Sequence, residues 1–141
     1  MTNEKNLQAV RSVYELFNKK EVDGLLNLVT DDFVLHDMAL GMTWHGKTGW
    51  KEWLDNWAIS MPDAKTRIDS IAGDGDLIFT EHTGTGTHTG PLQTPGGAIP
   101  ATGKTITLQF AEAFSLRDGK IRQMKAYWDS ATMMRQLGLL S

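Results

Sequence analysis

The sequence predicts an α+β domain in which three N-terminal helices cover one face of a curved antiparallel sheet. Three observations predict it. Apolar residues recur at helical spacing up to Pro62, the spacing then changes to alternation, and the alternating runs are divided by turn-forming strings such as Asp118-Gly119. A curved sheet closed on one side by helices is a cone, and its open end is a natural pocket.

The helical half comes first. Leu7, Val10, Tyr14 and Phe17 give an amphipathic helix over residues 3–19, with Thr2 or Asn3 as a cap. Val22 to Val29 reads as a second, shorter helix, broken by Thr30-Asp31-Asp32. Phe33 to Met38 alternates as a strand, and Gly41 to Gly46 is a loop holding Trp44 and His45. Thr48 caps a third helix, whose stripe is Trp50, Trp53, Leu54 and Trp57 at i, i+3, i+4 and i+7. Pro62 ends it.

Strands follow. Lys65 to Ala72 is one, Gly73 to Asp76 a turn, and Leu77 to Gly90 a long second one. A Pro- and Gly-rich loop runs from Pro91 to Gly103. Lys104 to Leu116 and Lys120 to Trp128 are the last two strands, joined at Asp118-Gly119. Asp129-Ser130 opens a short helix carrying Met133, Met134 and Leu137. Gly84 and Gly86 mark bends or close approach within their strand. With 141 residues and no linker or repeat, the chain reads as one domain over residues 1–141.

Composition excludes several classes. Net charge is -3 and the longest basic run is Lys19-Lys20, so no nucleic-acid footprint is present. No apolar stretch approaches the ~20 residues of a membrane span. The start lacks a signal peptide's apolar segment, which places the protein in the cytoplasm as an expectation. Zero cysteines exclude disulfides, thiol nucleophiles and cysteine metal ligands. Five tryptophans and seven methionines suit a pocket for a flat apolar molecule, and equally an ordinary core.

One residue stands out. From Ile106 to Phe114, alternation puts Ile106, Leu108, Phe110, Glu112 and Phe114 on one face. A carboxyl on that apolar face must be paired, hydrated or protonated. It is either a buried acid with a raised pKa that donates to a substrate carbonyl, or a structural partner of an Arg, Lys or His. Asp37 shares its face with Phe33 and Leu35 and sits beside His36; it is a general base at a pocket mouth or a solvated strand-end charge. His82 and His88 share a face but lie roughly 20 Å apart at ~3.3 Å per residue, so they cannot share a metal ion. No metal site is expected. His82 is a pocket hydrogen-bonder or a satisfied structural histidine. Trp128 is a better pocket candidate than the helix tryptophans.

Several strings carry a family resemblance. They are His-Thr-Gly-Thr-Gly-Thr-His-Thr-Gly-Pro (82–91), Pro-Ala-Thr-Gly-Lys (100–104), Arg-Asp-Gly-Lys-Ile (117–121), Trp-Asp-Ser (128–130) and Gln-Leu-Gly (136–138). With Asp-Gly-Leu-Leu-Asn-Leu-Val-Thr-Asp-Asp-Phe (23–33), the chain resembles the SnoaL-like polyketide cyclases of the nuclear transport factor two-like superfamily. The resemblance implies a cystatin-like cone and a homodimer through the outer sheet face. It implies ring closure by aldol condensation without metal or organic cofactor, with Asp129 of Trp-Asp-Ser as acid/base. Asp129 before Ser130 is also a good helix cap. By resemblance to ketosteroid isomerases, Asp37 takes the place of the proton-shuttling aspartate and Glu112 that of the protonated acid. The isomerase tyrosine falls on Val13, with Tyr14 one place along.

The site expected is therefore Asp129, Glu112 and Asp37 as catalytic groups, with His36, His82, Trp128, Phe110 and Tyr14 around the substrate. The reaction would be cyclase- or isomerase-like chemistry on a small or polycyclic ketone or ester. A binding protein for a small apolar molecule is the alternative. A dehydratase or epoxide hydrolase is a third reading; the hydrolase needs a cooperating Asp-Arg-Asp set, for which Arg67 and Arg122 are the arginines considered. Two carboxyls converging in one pocket would favour catalysis; an apolar pocket with Glu112 ion-paired would favour binding.

Overall fold

A computed structural model describes residues 2–140 and contains four helices and eight strands among them. In chain order they are α1 (Thr2–Lys19), α2 (Val22–Asn27), β1 (Val29–Asp37), β2 (Met42–His45), α3 (Gly46–Ser60), β3 (Lys65–Asp74), β4 (Leu77–Thr87), β5 (Leu92–Thr94), β6 (Gly97–Ile99), β7 (Thr105–Arg117), β8 (Lys120–Trp128) and α4 (Ser130–Gln136). Six strands form one unclosed sheet in the order β2-β1-β8-β7-β4-β3, and β5-β6 is a separate hairpin.

The alternation on β7 is borne out in its burial. Ile106, Leu108, Glu112 and Phe114 are buried and Phe110 is half-buried, while Thr107, Gln109 and Ala111 are exposed. Above the inner face lie Val10, Val13 and Tyr14 of α1 and the tryptophan stripe of α3. Trp50 stacks on Trp53 with centroids 5.8 Å apart, and its indole N–H donates to Leu25 O at 2.9 Å, which ties α3 to α2. Such aromatic burial dominates the apolar contribution to stability, each large side chain adding roughly 1.5–3 kcal/mol.

Four details depart from the sequence reading. β1 pairs with β8 in parallel, so the sheet is not uniformly antiparallel. Alternation identifies strands but not their direction, and these two are joined by a long crossover rather than a hairpin. Secondly, β1 starts at Val29 and its register against β8 shifts between Val29 and Val34, so Thr30 to Asp32 belong to an irregular strand and α2 stops at Asn27. Thirdly, 42–45 is a strand against β1, and the 91–103 loop contains the β5–β6 hairpin. Asn56 of α3 holds that hairpin through the backbone N–H and C=O of Gln93. Finally, the caps move. α3 begins at Gly46 after His45, so Thr48 lies inside it; Asn3 lies inside α1, and Thr2's side chain lies outside the described residues.

One turn and one glycine need their residues. Asp118 and Gly119 both have positive φ, 53° and 80°, as a two-residue hairpin turn requires. On β4, a Cβ at Gly86 would sit 2.9 Å from Met61 Cβ. Hydrogen at that position lets α3's C-terminal end lie on the sheet.

Candidate functional site

The site forms where α1 crosses β4 and β7. Register places Glu112 opposite Thr80, and Phe110 opposite His82, all facing inward. The α1 stripe brings Tyr14 down on them. Tyr14 O–H donates to Glu112 Oε1 at 2.6 Å and lies 2.7 Å from Thr80 Oγ1. His82 Nε2 comes within 2.9 Å of the same Oε1, off the line of a ring N–H. On the other side of the ring, Nδ1 lies 2.6 Å from Thr66 Oγ1. The imidazole stacks flat on Phe110, with centroids 4.6 Å apart and planes 5° apart.

Electrostatics follow from burial. Glu112 is 3 % exposed, and among the described residues His82 is the one cation-forming group within ion-pair reach of it. A bare buried carboxylate is costly, and the His82 imidazole is the group placed to offset its charge. Burial raises the Tyr14 phenol well above its ordinary pKa, and the Glu112 charge adds to that rise. Tyr14 is therefore a donor at neutral pH.

These groups line a cavity of about 80 Å³ under α1 and α3. Val13, Trp53, Trp57, Ile106, Leu108 and Met124 supply much of its apolar wall, and Tyr14, Thr66, His82 and Glu112 are among its polar residues. A cavity of roughly 150 Å³ takes a benzene ring. This space is about half of that, so it admits a fragment smaller than a benzene ring or one end of a larger molecule.

Of the expected site residues, the structure brings Glu112, His82, Phe110 and Tyr14 together. Tyr14, one place along from the position the isomerase resemblance gives, reaches Glu112 directly. Asp37 is buried but is not among the cavity-lining residues. Its Oδ1 accepts from Ala39 N at 3.1 Å, Leu40 N at 2.9 Å and Trp128 Nε1 at 3.0 Å, and its Oδ2 from Trp53 Nε1 at 3.0 Å. A carboxylate has about four acceptor positions, so these donors occupy it. Trp128 accordingly serves Asp37 and packs on Trp57, with centroids 5.3 Å apart, rather than lining the cavity.

Asp129 stands apart from all of these. It is exposed and caps α4, accepting from Ala131 N at 3.0 Å and Thr132 N at 3.3 Å. The Thr132 hydroxyl first, and the backbone N–H groups with it, hold its pKa below the usual carboxylate value. The last strand turns Met124 and Ala126 inward, which leaves Asp129 outside the cavity. His36 is also outside the cavity: it is half-buried on β1, with Nδ1 3.2 Å from Thr43 Oγ1. Thr66 and Thr80 are the polar members that sequence reasoning missed. The signal for Thr80 is its cross-strand register with Glu112, which the intervening 91–103 loop hides. Among the described residues no group of three or more His, Asp or Glu is placed to hold a metal ion, and no helix is long and apolar enough to cross a membrane.

Comparison with known proteins adds kinship. A family model described as SnoaL-like polyketide cyclase matches residues 7–137. None of the curated proteins compared matches the chain. Among solved structures, a protein described as a SnoaL-like polyketide cyclase from Jannaschia sp. CCS1 superposes with TM-score 0.86 at 16% identity, covering 98% of this chain and 94% of that one. IdmH from Streptomyces antibioticus, described as a polyketide cyclase, is 26% identical with TM-score 0.78 and coverage of 94% and 98%. A protein of ketosteroid isomerase-like fold from Catenulispora acidiphila, solved with trimethylamine, is 18% identical with TM-score 0.77 and coverage of 93% and 92%.

Proposed function

Because the chain belongs to the SnoaL-like polyketide cyclase family, we propose that its cavity binds a small, mostly apolar carbonyl compound and moves a proton on it. The observation that carries this reading is the convergence of Tyr14 and His82 on one buried oxygen of Glu112, at 2.6 and 2.9 Å, on the cavity wall. A buried carboxyl and an imidazole 2.9 Å apart can serve as an acid/base pair without a second carboxylate.

In this reading the unprotonated member of the pair takes the proton beside the carbonyl. The C–H electron pair moves into an enolate; the proton taken up by the Glu112–His82 pair removes the carboxylate charge that holds Tyr14 O–H, and Tyr14 turns to donate to the enolate oxygen. Preorganised donors of this kind supply a large share of such catalysis. Return of the proton to another carbon completes an isomerisation; attack of the enolate carbon on a second carbonyl closes a ring, and the alkoxide formed takes the proton back from the pair. The volume of about 80 Å³ supports the small end of the substrate range.

The test follows deuterium uptake from heavy water into phenylacetone and ethyl acetoacetate by proton NMR. Uptake above buffer that is lost in Glu112→Gln and His82→Gln supports proton transfer.

A second reading has its own observation. Of the three candidate carboxylates only Glu112 lines the cavity, and it is already paired with His82. That favours a binding protein for a small apolar molecule. Trp53 and Trp57 line the cavity, so tryptophan fluorescence reports occupancy. Binding of phenylacetone without exchange selects this reading.

The outer sheet face supports the homodimer. Phe79 is 52 % and Tyr127 44 % exposed there, beside the small residues Ala72 and Ala111. Light scattering distinguishes the dimer from a 15.7 kDa monomer.

A further inference from the structure

The contacts around Glu112 close into a ring that returns to the same helix. Tyr14 and Asn18 lie one turn apart on α1. Tyr14 donates to Glu112 Oε1, His82 Nε2 abuts that oxygen, and His82 Nδ1 lies 2.6 Å from Thr66 Oγ1. Asn18 completes the ring: its Nδ2 donates to Thr66 O at 2.8 Å and its Oδ1 accepts from Thr66 N at 2.8 Å. Thr66 is thus clamped on both backbone groups, and its hydroxyl has one direction toward the imidazole.

From this we infer that Thr66 is the positioning residue that fixes which nitrogen of His82 carries a proton. Two arrangements are open to the hydroxyl. If it donates to Nδ1, His82 is neutral and Glu112 is either a buried anion with no cation beside it or itself protonated. If it accepts from Nδ1–H, its own hydrogen turns to Thr83 O, 3.4 Å away. Nε2 is then left facing Glu112 Oε1, 2.9 Å away. Only the second arrangement lets the ring carry a proton on both nitrogens and so set an imidazolium beside the Glu112 carboxylate, which the burial of Glu112 favours. Thr66 does not touch the reacting atoms in this account. It acts through the ring, by holding its plane against Phe110 and holding Nδ1 protonated.

This inference rests on the acid/base reading for its purpose, but its test does not. The experiment is long-range proton–nitrogen NMR of histidine-labelled protein at pH 7, with the His82 signals identified by their loss in His82→Gln. The wild-type spectrum should show Nδ1 protonated. Thr66→Val keeps the shape but removes the acceptor, and should change the His82 nitrogen pattern; Thr66→Ser should restore it. A wild-type Nδ1 without a proton overturns the inference, whether or not any variant folds. An unchanged His82 pattern in folded Thr66→Val also overturns it. The expected patterns without any ketone exchange would leave Thr66's role standing and remove the proposed activity instead.

Discussion

Tyr14 and Glu112 are 98 positions apart in the chain and 2.6 Å apart in the fold, oxygen to oxygen. The bond joins the helix layer to the middle of the sheet at the polar end of an apolar cavity. Removing the hydroxyl in Tyr14→Phe strips a donor from a buried carboxyl. Leaving a buried acceptor short of a partner costs about 1–3 kcal/mol. Denaturant unfolding should show a loss of that order, and ketone exchange should fall with it.

Tyr14 also predicts a response to base. Its folded pKa is raised, by burial first and then by Glu112, so folding favours the neutral phenol. The stability this contributes is complete below the unfolded tyrosine value and is lost as pH rises above it toward the folded one. Tyrosinate absorbance should therefore show Tyr14 silent at pH 10 in the folded protein. Unfolding in denaturant at that pH should release its signal. The Tyr14→Phe variant should lack the released component.

Asp37 is predicted to hold structure rather than move protons. Its oxygens take two indole and two backbone N–H groups. Asp37→Asn replaces one accepting oxygen by a donating NH₂ that faces donors. A loss of roughly 2–4 kcal/mol in unfolding free energy is expected, the scale for leaving buried groups mispaired. Exchange per folded molecule should survive. Exchange lost from a fully folded Asp37→Asn would return it to the role of base.

Asp129 separates the two roles in the other direction. As an exposed cap of α4 it accepts from Ala131 and Thr132. Asp129→Ala should lower Tm slightly and leave exchange unchanged. Its depressed pKa makes the sign explicit: the cap's contribution is present above the unfolded aspartate value and fades as pH falls through the folded one. The wild-type advantage over Asp129→Ala should thus shrink in acid.

Gly86 tests the closeness of α3 to the sheet. A methyl group there meets Met61 Cβ at 2.9 Å. Overpacking of this kind costs about 1–3 kcal/mol, and Gly86→Ala should show it in thermal unfolding.

Much of this was legible in the residues. The alternation on β7 located Glu112 on a buried face, and the α1 stripe put Tyr14 on the covering side. What stayed hidden depends on register. The β4–β7 pairing that sets Thr80 beside Glu112 spans the long 91–103 loop, whose length does not fix alignment. The parallel pairing of β1 with β8 hid Asp37's partners as well, since Trp128 reaches it from the end of a strand far along the chain. The place of Asp129 outside the cavity has a local reason: a string shared with a family fixes position in sequence, while the turn from β8 into α4 decides where the side chain points.

In the function proposed above, Glu112 and His82 exchange a proton with a bound carbonyl compound. Deuterium uptake into ethyl acetoacetate at pH 7, compared between wild type, Glu112→Gln and Asp129→Asn, tests it most directly. The account predicts uptake above buffer in wild type and Asp129→Asn, and a fall of at least tenfold in Glu112→Gln. Uptake at the buffer rate in wild type, or uptake lost in Asp129→Asn and kept in Glu112→Gln, would contradict it.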